Sequence, residues 1–246
     1  MQRYFLHLSY KGTSYKGWQI QPKDNTIQGE INSALTKLNR NIPVFSMGCG
    51  RTDAGVHASN FYAHFDFTLI EDISNFMFKM NNMLPKDIVI HDILSVHPDA
   101  HSRYDAVFRT YNYFISNNKN PFNIDTTLLF PHKLNVIKMN KACLILFEYI
   151  DFECFSKVRT EVKTFNCTIT EAKWEDTEEG LVFTITANRF LRNMVRAIVG
   201  TLIEVGQGKI EVEYLHEIIK SKKRDYAGKS VSANGLFLAD IKYRYL

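Results

Sequence analysis

The spacing of apolar residues changes period repeatedly along the chain, and each change predicts an element. Tyr4 to Tyr10 predicts a first strand. After a polar stretch, Ile27, Ile31, Ala34, Leu35 and Leu38 recur at helical spacing, and Thr26 stands where a side-chain oxygen can cap the first turn. Val44 to Met47 predicts a short strand and Ser59 to Phe65 alternates as a longer one, so the residues between them join two strands. Ile73, Phe76, Met77, Met80 and Leu84 form a second helical stripe, closed by Pro85-Lys86-Asp87, and Ile88 to Leu94 predicts a further strand. The first half therefore reads βαββαβ, and its helical stripes are core positions.

In the second half, Phe108, Thr110, Asn112 and Phe114 fall on one face of a predicted strand and Arg109, Tyr111, Tyr113 and Ile115 on the other. Residues 116–134, with their Asn, Pro and Asp, predict a connecting loop. Asn135 can cap a helix through Met139, Cys143 and Phe147, and strands are predicted at about 162–174 and 181–187. Asn188 then caps a predicted helix buried along Met194, Val195, Ile198, Val199 and Leu202. Arg189, Arg192 and Arg196 lie near another face of it, and spacing alone reads them as a solvated face. Val212, Leu215, Ile218 and Ile219 mark a last helix, followed by the basic residues Lys220, Lys222, Lys223 and Arg224. The halves echo each other in element order without a residue-level repeat.

Composition narrows the class. The 246 residues suffice for one large domain or two small ones, and 45% apolar with 23% charged is ordinary for a globular protein. A formal net charge of +4 permits an RNA partner without requiring one, so the placement of charge decides. Cys49, Cys143, Cys154 and Cys167 form no Cys-x-x-Cys pair and no zinc spacing, as expected of free thiols in a reducing cytosol. Met1 to Leu8 is too short and polar for a signal peptide, and no apolar run reaches the roughly 18 residues of a membrane span. A cytoplasmic protein is expected.

The chemistry concentrates in Gly48-Cys49-Gly50-Arg51-Thr52-Asp53-Ala54-Gly55-Val56-His57-Ala58, where four reactive side chains sit among three glycines. An arginine close to Asp53 would hold the carboxylate ionised, and an ionised carboxylate at a cleft mouth can act as nucleophile or base. Other readings of the same residues are a turn with a surface ion pair, a metal site of Asp53, His57 and His64, and a Cys49 nucleophile with His57 as its base. A second loop, Lys11 to Pro22, mixes glycines, lysines, Tyr15 and Trp18, a combination suited to base stacking and phosphate neutralisation. It also reads as a surface loop anchored by one tryptophan.

Gly48 to Ala58 match Gly-x-Gly-Arg-Thr-Asp-x-Gly-Val-His-Ala throughout, and in this the chain resembles the TruA-type tRNA pseudouridine synthases. Further motifs follow in the family's order from about Tyr4 to about Tyr243. Tyr10 to Gln21 resemble Tyr-x-Gly-Thr-x-Tyr-x-Gly-Trp-Gln-x-Gln, with Lys11 replacing the commoner acidic residue. Arg109, Tyr111 and Tyr113 match Arg-x-Tyr-x-Tyr, and Phe190 to Gly200 match Phe-x-x-x-Met-Val-Arg-x-Ile-Val-Gly. Asp151 to Phe155 resemble Asp-Phe-x-x-Phe, although Glu148 and Ile150 stand where Gly and His are common. Gly235-Leu236-Phe237-Leu238 resemble the closing motif, with Ser232 where Pro is frequent.

The resemblance implies an α+β pseudouridine synthase fold of two lobes, each with a largely antiparallel sheet and helices, around a basic cleft. Residues 1–106 would form the lobe carrying the catalytic loop 48–58, and residues 107–246 the other. It implies isomerisation of uridine to pseudouridine at tRNA positions 38 to 40, in the anticodon stem-loop, by a homodimer needing no cofactor and no metal. Asp53 is implied as the catalytic carboxylate, Tyr111 as the active-site tyrosine that stacks on the flipped base, and Arg196 as the arginine paired with Asp53. Arg51 would fill the space the base vacates, and Leu236 would line the uracil pocket.

The chemistry asks for these residue types. A paired uridine must leave its stack at a cost of roughly a few kcal/mol, and a stacking tyrosine returns about 1–3 kcal/mol. Asp53 starts cleavage of the N1–C1′ bond, as nucleophile or as base at C2′; uracil turns and rejoins through C5, and Tyr111 can assist loss of the C5 proton. A non-catalytic RNA-binding protein is the competing class. Asp53 discriminates, because an anion set against phosphates weakens a pure binder.

Overall fold

β1 (Gln2–Tyr10) buries Tyr4, Phe5, Leu6, Leu8 and Tyr10 and carries the first sheet between two antiparallel neighbours. α1 (Ile27–Leu38) begins as its cap predicts, Thr26 Oγ1 accepting from the Gly29 N–H at 3.3 Å, and it buries Ile27, Ile31, Ala34 and Leu35. β2 (Met47–Gly48) is much shorter than the predicted Val44–Met47 strand. The preceding backbone is claimed by side chains of α1 instead: the Ser46 N–H donates to Asn32 Oδ1 (2.9 Å) and Gln28 Nε2 donates to the Ser46 carbonyl (2.6 Å). With both groups satisfied, no ladder forms there. β3 (His57–Phe67) pairs with β1, for example Leu6 with Ala63, and buries Phe61, Ala63, Phe65 and Phe67.

α2 (Ile73–Met83) is capped by Asp72, which accepts from the Asn75 N–H at 2.9 Å. It buries only Met80 of its stripe, with Leu84 just beyond its end. β4 (Ile88–Val96) completes the βαββαβ order on the free side of β1.

The computed structural model describes residues 1–157 and 162–246, and the chain divides into two units, Met1–Val107 with Phe237–Leu246, and Phe108–Leu236. In the second unit, β5 (Phe108–Ser116) carries the faces expected of it, with Tyr113 and Ile115 buried. The predicted 116–134 loop contains one short strand, β6 (Leu128–Leu129), parallel to the end of β5. α3 (Val136–Leu146) starts at Asn135, whose side chain accepts from the Lys138 N–H at 3.0 Å. β7 (Ile169–Thr177) and β8 (Gly180–Ala187) pair antiparallel, and β8 pairs antiparallel with β5.

Two predicted boundaries move, for one reason. β7 begins later than about residue 162 because the Cys167 N–H donates to the Ile150 carbonyl (2.8 Å) and the Thr168 N–H to Asn188 Oδ1 (2.8 Å). Asn188, spent there, caps no helix. α4 (Met194–Gly206) instead starts behind Asn193, held in the left-handed region at φ 68°, so Arg189 and Arg192 precede the helix and only Arg196 lies on it. Short polar side chains such as asparagine tolerate that conformation. α5 (Tyr214–Ser221) buries Leu215, Ile218 and Ile219. The last strand, β9 (Leu236–Lys242), runs parallel to β3 with His57 opposite Phe237 and Ala58 opposite Leu238, so the chain's final residues belong with the first unit. The class is α+β with mostly antiparallel pairing. Among the described residues no helix is long and apolar enough to cross a membrane.

Candidate active site

The glycine-rich run is the connection from β2 to β3, and the Lys11–Pro22 segment is its mount. The Trp18 N–H donates to the Thr52 carbonyl (3.2 Å), the Gly55 N–H to the Tyr15 carbonyl (3.2 Å), and the Gly12 N–H to His57 Nδ1 (3.0 Å). Tyr15 and Trp18 are buried, so neither offers a face to a base. Trp18 stacks on Phe61 at 4.2 Å and lies against Gly48, where a Cβ would come within 2.5 Å of the indole. Gly48→Ala is therefore expected to destabilise the protein by about 1–3 kcal/mol, as overpacking does. The measurement is the urea midpoint at constant slope; an unchanged midpoint would mean the indole moves aside freely.

Thr52 decides how the loop presents its charges. Its hydroxyl shares a hydrogen bond with the Tyr10 hydroxyl at 2.8 Å, and both residues are buried. With Thr52 turned inward, the adjacent Arg51 is exposed and Asp53 half-buried. Among the described residues Arg51 has no hydrogen-bond or ion-pair partner, so it is not the charge partner of Asp53 that its sequence proximity suggests.

The other reactive groups of the loop are occupied by the fold. His57 is fully buried, stacked on Phe237 at 4.5 Å, and because Nδ1 accepts from Gly12 its proton sits on Nε2. His64 Nδ1 accepts from the Ser102 N–H (3.2 Å), and burial, with His101 alongside, pushes its pKa down to about 4. Cys49 is only 1% exposed, and its N–H donates to the Tyr62 carbonyl at 2.8 Å. A thiol so enclosed is a poor nucleophile.

The second unit carries Tyr111, Arg196 and Leu236. Tyr111 lies on β5 opposite Ile185 of β8, half-buried, with its ring edge-on to Phe190 at 5.1 Å and 88°. Arg196 stands in the first turn of α4, where its Nε donates to the Val231 carbonyl at 2.7 Å, fixing the plane of the guanidinium. The helix lies close to that loop: a Cβ on Gly200 would come within 1.9 Å of the Lys229 carbonyl oxygen. Leu236 is buried at the start of β9, its N–H donating to the Ala233 carbonyl. Of the basic cluster, Lys222 pairs with Asp151 at 2.6 Å and Arg224 braces Ala227 and Ser230, while Lys220, Lys222 and Lys223 are all exposed.

Sequence reading missed two supporting contacts, Tyr10 with Thr52 and Tyr113 with the Ser232 carbonyl. Neither has a spacing signal. Each joins segments distant in sequence, although all four residues fall inside or beside the quoted motifs.

Comparison with known proteins agrees with this arrangement. A family profile described as tRNA pseudouridine synthase matches residues 150–244. The tRNA pseudouridine synthase A of Parabacteroides distasonis is 49% identical over 246 residues, covering 99% of this chain and 96% of that protein. That of Bacteroides thetaiotaomicron is 49% identical over 99% of this chain and 91% of its own length. The tRNA pseudouridine synthase A of Streptococcus pyogenes is 38% identical over 99% of both. Identity of this order from end to end means that the chain belongs to the tRNA pseudouridine synthase A family.

Proposed function

We propose that this chain isomerises uridine to pseudouridine at positions 38 to 40 of tRNA, in the anticodon stem-loop, as a cytoplasmic homodimer without a cofactor or metal. The observation that carries the reading is the inward Thr52 on a loop mounted by the Lys11–Pro22 segment, with Arg51 exposed and Asp53 half-buried on either side of it. Asp53 is the catalytic carboxylate and Arg51 the residue that occupies the space of the flipped base. Tyr111 supplies a half-exposed ring against which uracil stacks, and Leu236 contributes an apolar wall. Arg196, its Nε spent on Val231, is the charge partner proposed for Asp53.

The direct test is release of tritium from 5-tritiated uridine in an anticodon stem-loop, since rejoining through C5 must expel that hydrogen. Binding without release would leave a non-catalytic RNA-binding protein. Affinity for tRNA is expected to fall steeply with salt, as when several Lys and Arg displace counterions: about tenfold or more between 50 and 200 mM. A flat salt response in a filter-binding titration would contradict phosphate tracking by the basic side chains.

A further inference from the structure

Tyr111 and Arg196 stand on different elements, β5 and α4, and residues 228–235 are bonded to both. On the helix side the Gly228 N–H donates to Thr201 Oγ1 (2.9 Å), and Ser230 Oγ accepts from Asn193 Nδ2 (2.6 Å) and Arg224 Nη2 (2.8 Å). Val231 is bound to Arg196 in both directions, its N–H donating to the Arg196 carbonyl (3.2 Å) and its own carbonyl accepting from Arg196 Nε (2.7 Å). On the strand side, Tyr113 Oη donates to the Ser232 carbonyl (2.9 Å) and the Phe114 N–H to the Gly235 carbonyl (2.9 Å). The change from helix to strand falls between Val231 and Ser232. Their adjacent carbonyls are held one by the arginine and the other by the tyrosine.

We propose that Tyr113 is a positioning residue for the isomerisation: by holding the Ser232 carbonyl it restrains the peptide next to the one Arg196 holds, and so registers Arg196 of α4 against the strand that carries Tyr111. This rests on the function proposed above. Tyr113 is fully buried, so it acts through Arg196 and not on substrate. Burial pushes its phenol up to about 12, which keeps it a hydrogen-bond donor throughout the neutral range. Because Arg196 Nε is held by the Val231 carbonyl, displacement of that carbonyl turns the whole guanidinium, whose planar fork must meet a carboxylate squarely. The restraint has a reason in this chain. Ser232 has no ring to fix its φ, so the segment depends on side-chain bonds, including Asn234 Nδ2 donating to the Ile124 carbonyl at 3.2 Å.

The test compares Tyr113→Phe with wild type in single-turnover tritium release and in steady state. Removing only the hydroxyl is expected to lower kcat about tenfold while KM stays within about twofold, as for a misplaced transition-state contact. In an Arg196→Lys background the same change is expected to add less than about twofold, because the geometry it protects is already lost. Ser232→Pro, which keeps the carbonyl and stiffens the segment, is expected to recover part of the Tyr113→Phe loss. If Tyr113→Phe does not fold, Asn234→Ala loosens the same segment from a half-exposed side and carries the same kcat and background expectations. An unchanged kcat, or a tenfold loss repeated in full on Arg196→Lys, would overturn the proposal. Wild-type protein that releases no tritium would instead overturn the functional reading beneath it.

Discussion

Asp53→Ala is expected to abolish tritium release, lowering turnover by on the order of 10³-fold or more, while tRNA affinity stays within about twofold. The two halves of this result have different causes. On the proposed reading turnover depends on the Asp53 carboxylate to start cleavage of the N1–C1′ bond, and two other reactive groups of the loop are engaged by the fold: His57 is enclosed with Nδ1 bound to Gly12, and Cys49 is buried. Affinity is spread over basic and stacking side chains, of which Asp53 is not one, and removing an anion from a phosphate-binding surface costs that surface nothing. Asp53 is only half-buried, so truncation leaves no large cavity. A variant with substantial turnover would remove the central claim.

The second large effect separates the two arginines. Arg196→Lys is expected to lose about 10²-fold in kcat. A planar fork that orients a carboxylate through two parallel N–H bonds is not replaced by a single ammonium. A lysine reaches the same region as a point charge, but it has no Nε to bond the Val231 carbonyl, so the orientation observed for the arginine is lost along with the fork. Arg51→Ala is expected to spare most turnover on an unpaired uridine, since Arg51 is exposed and has no ion-pair partner among the described residues. It should cost roughly tenfold more on a uridine paired in the stem than on one in the loop, because filling the vacated stack matters only where a pair has been opened. An Arg196→Lys loss confined to paired uridines, with an Arg51→Ala loss equal on paired and unpaired ones, would exchange the two roles.

The sequence by itself determined the elements whose formation is local. The helix of Ile27 to Leu38 with its Thr26 cap, the helix after Asn135, the strand carrying Tyr111 and Tyr113, and the βαββαβ order all follow from period and capping, which act within a few residues. It also determined the candidate chemistry, because an eleven-residue motif specifies side chains and spacing together. Only the tertiary structure decided matters settled by bonds between distant segments. Ser46 lost its place in a strand to Asn32 and Gln28, Asn188 gave its oxygen to Thr168 and left the helix to begin at Met194, and Trp18 became the anchor of the signature loop. The side of the loop on which Arg51 and Asp53 emerge was set in the same way, by the Tyr10 hydroxyl holding Thr52 inside. A polar side chain can satisfy any nearby backbone group, and which group is nearby depends on how the chain has already folded.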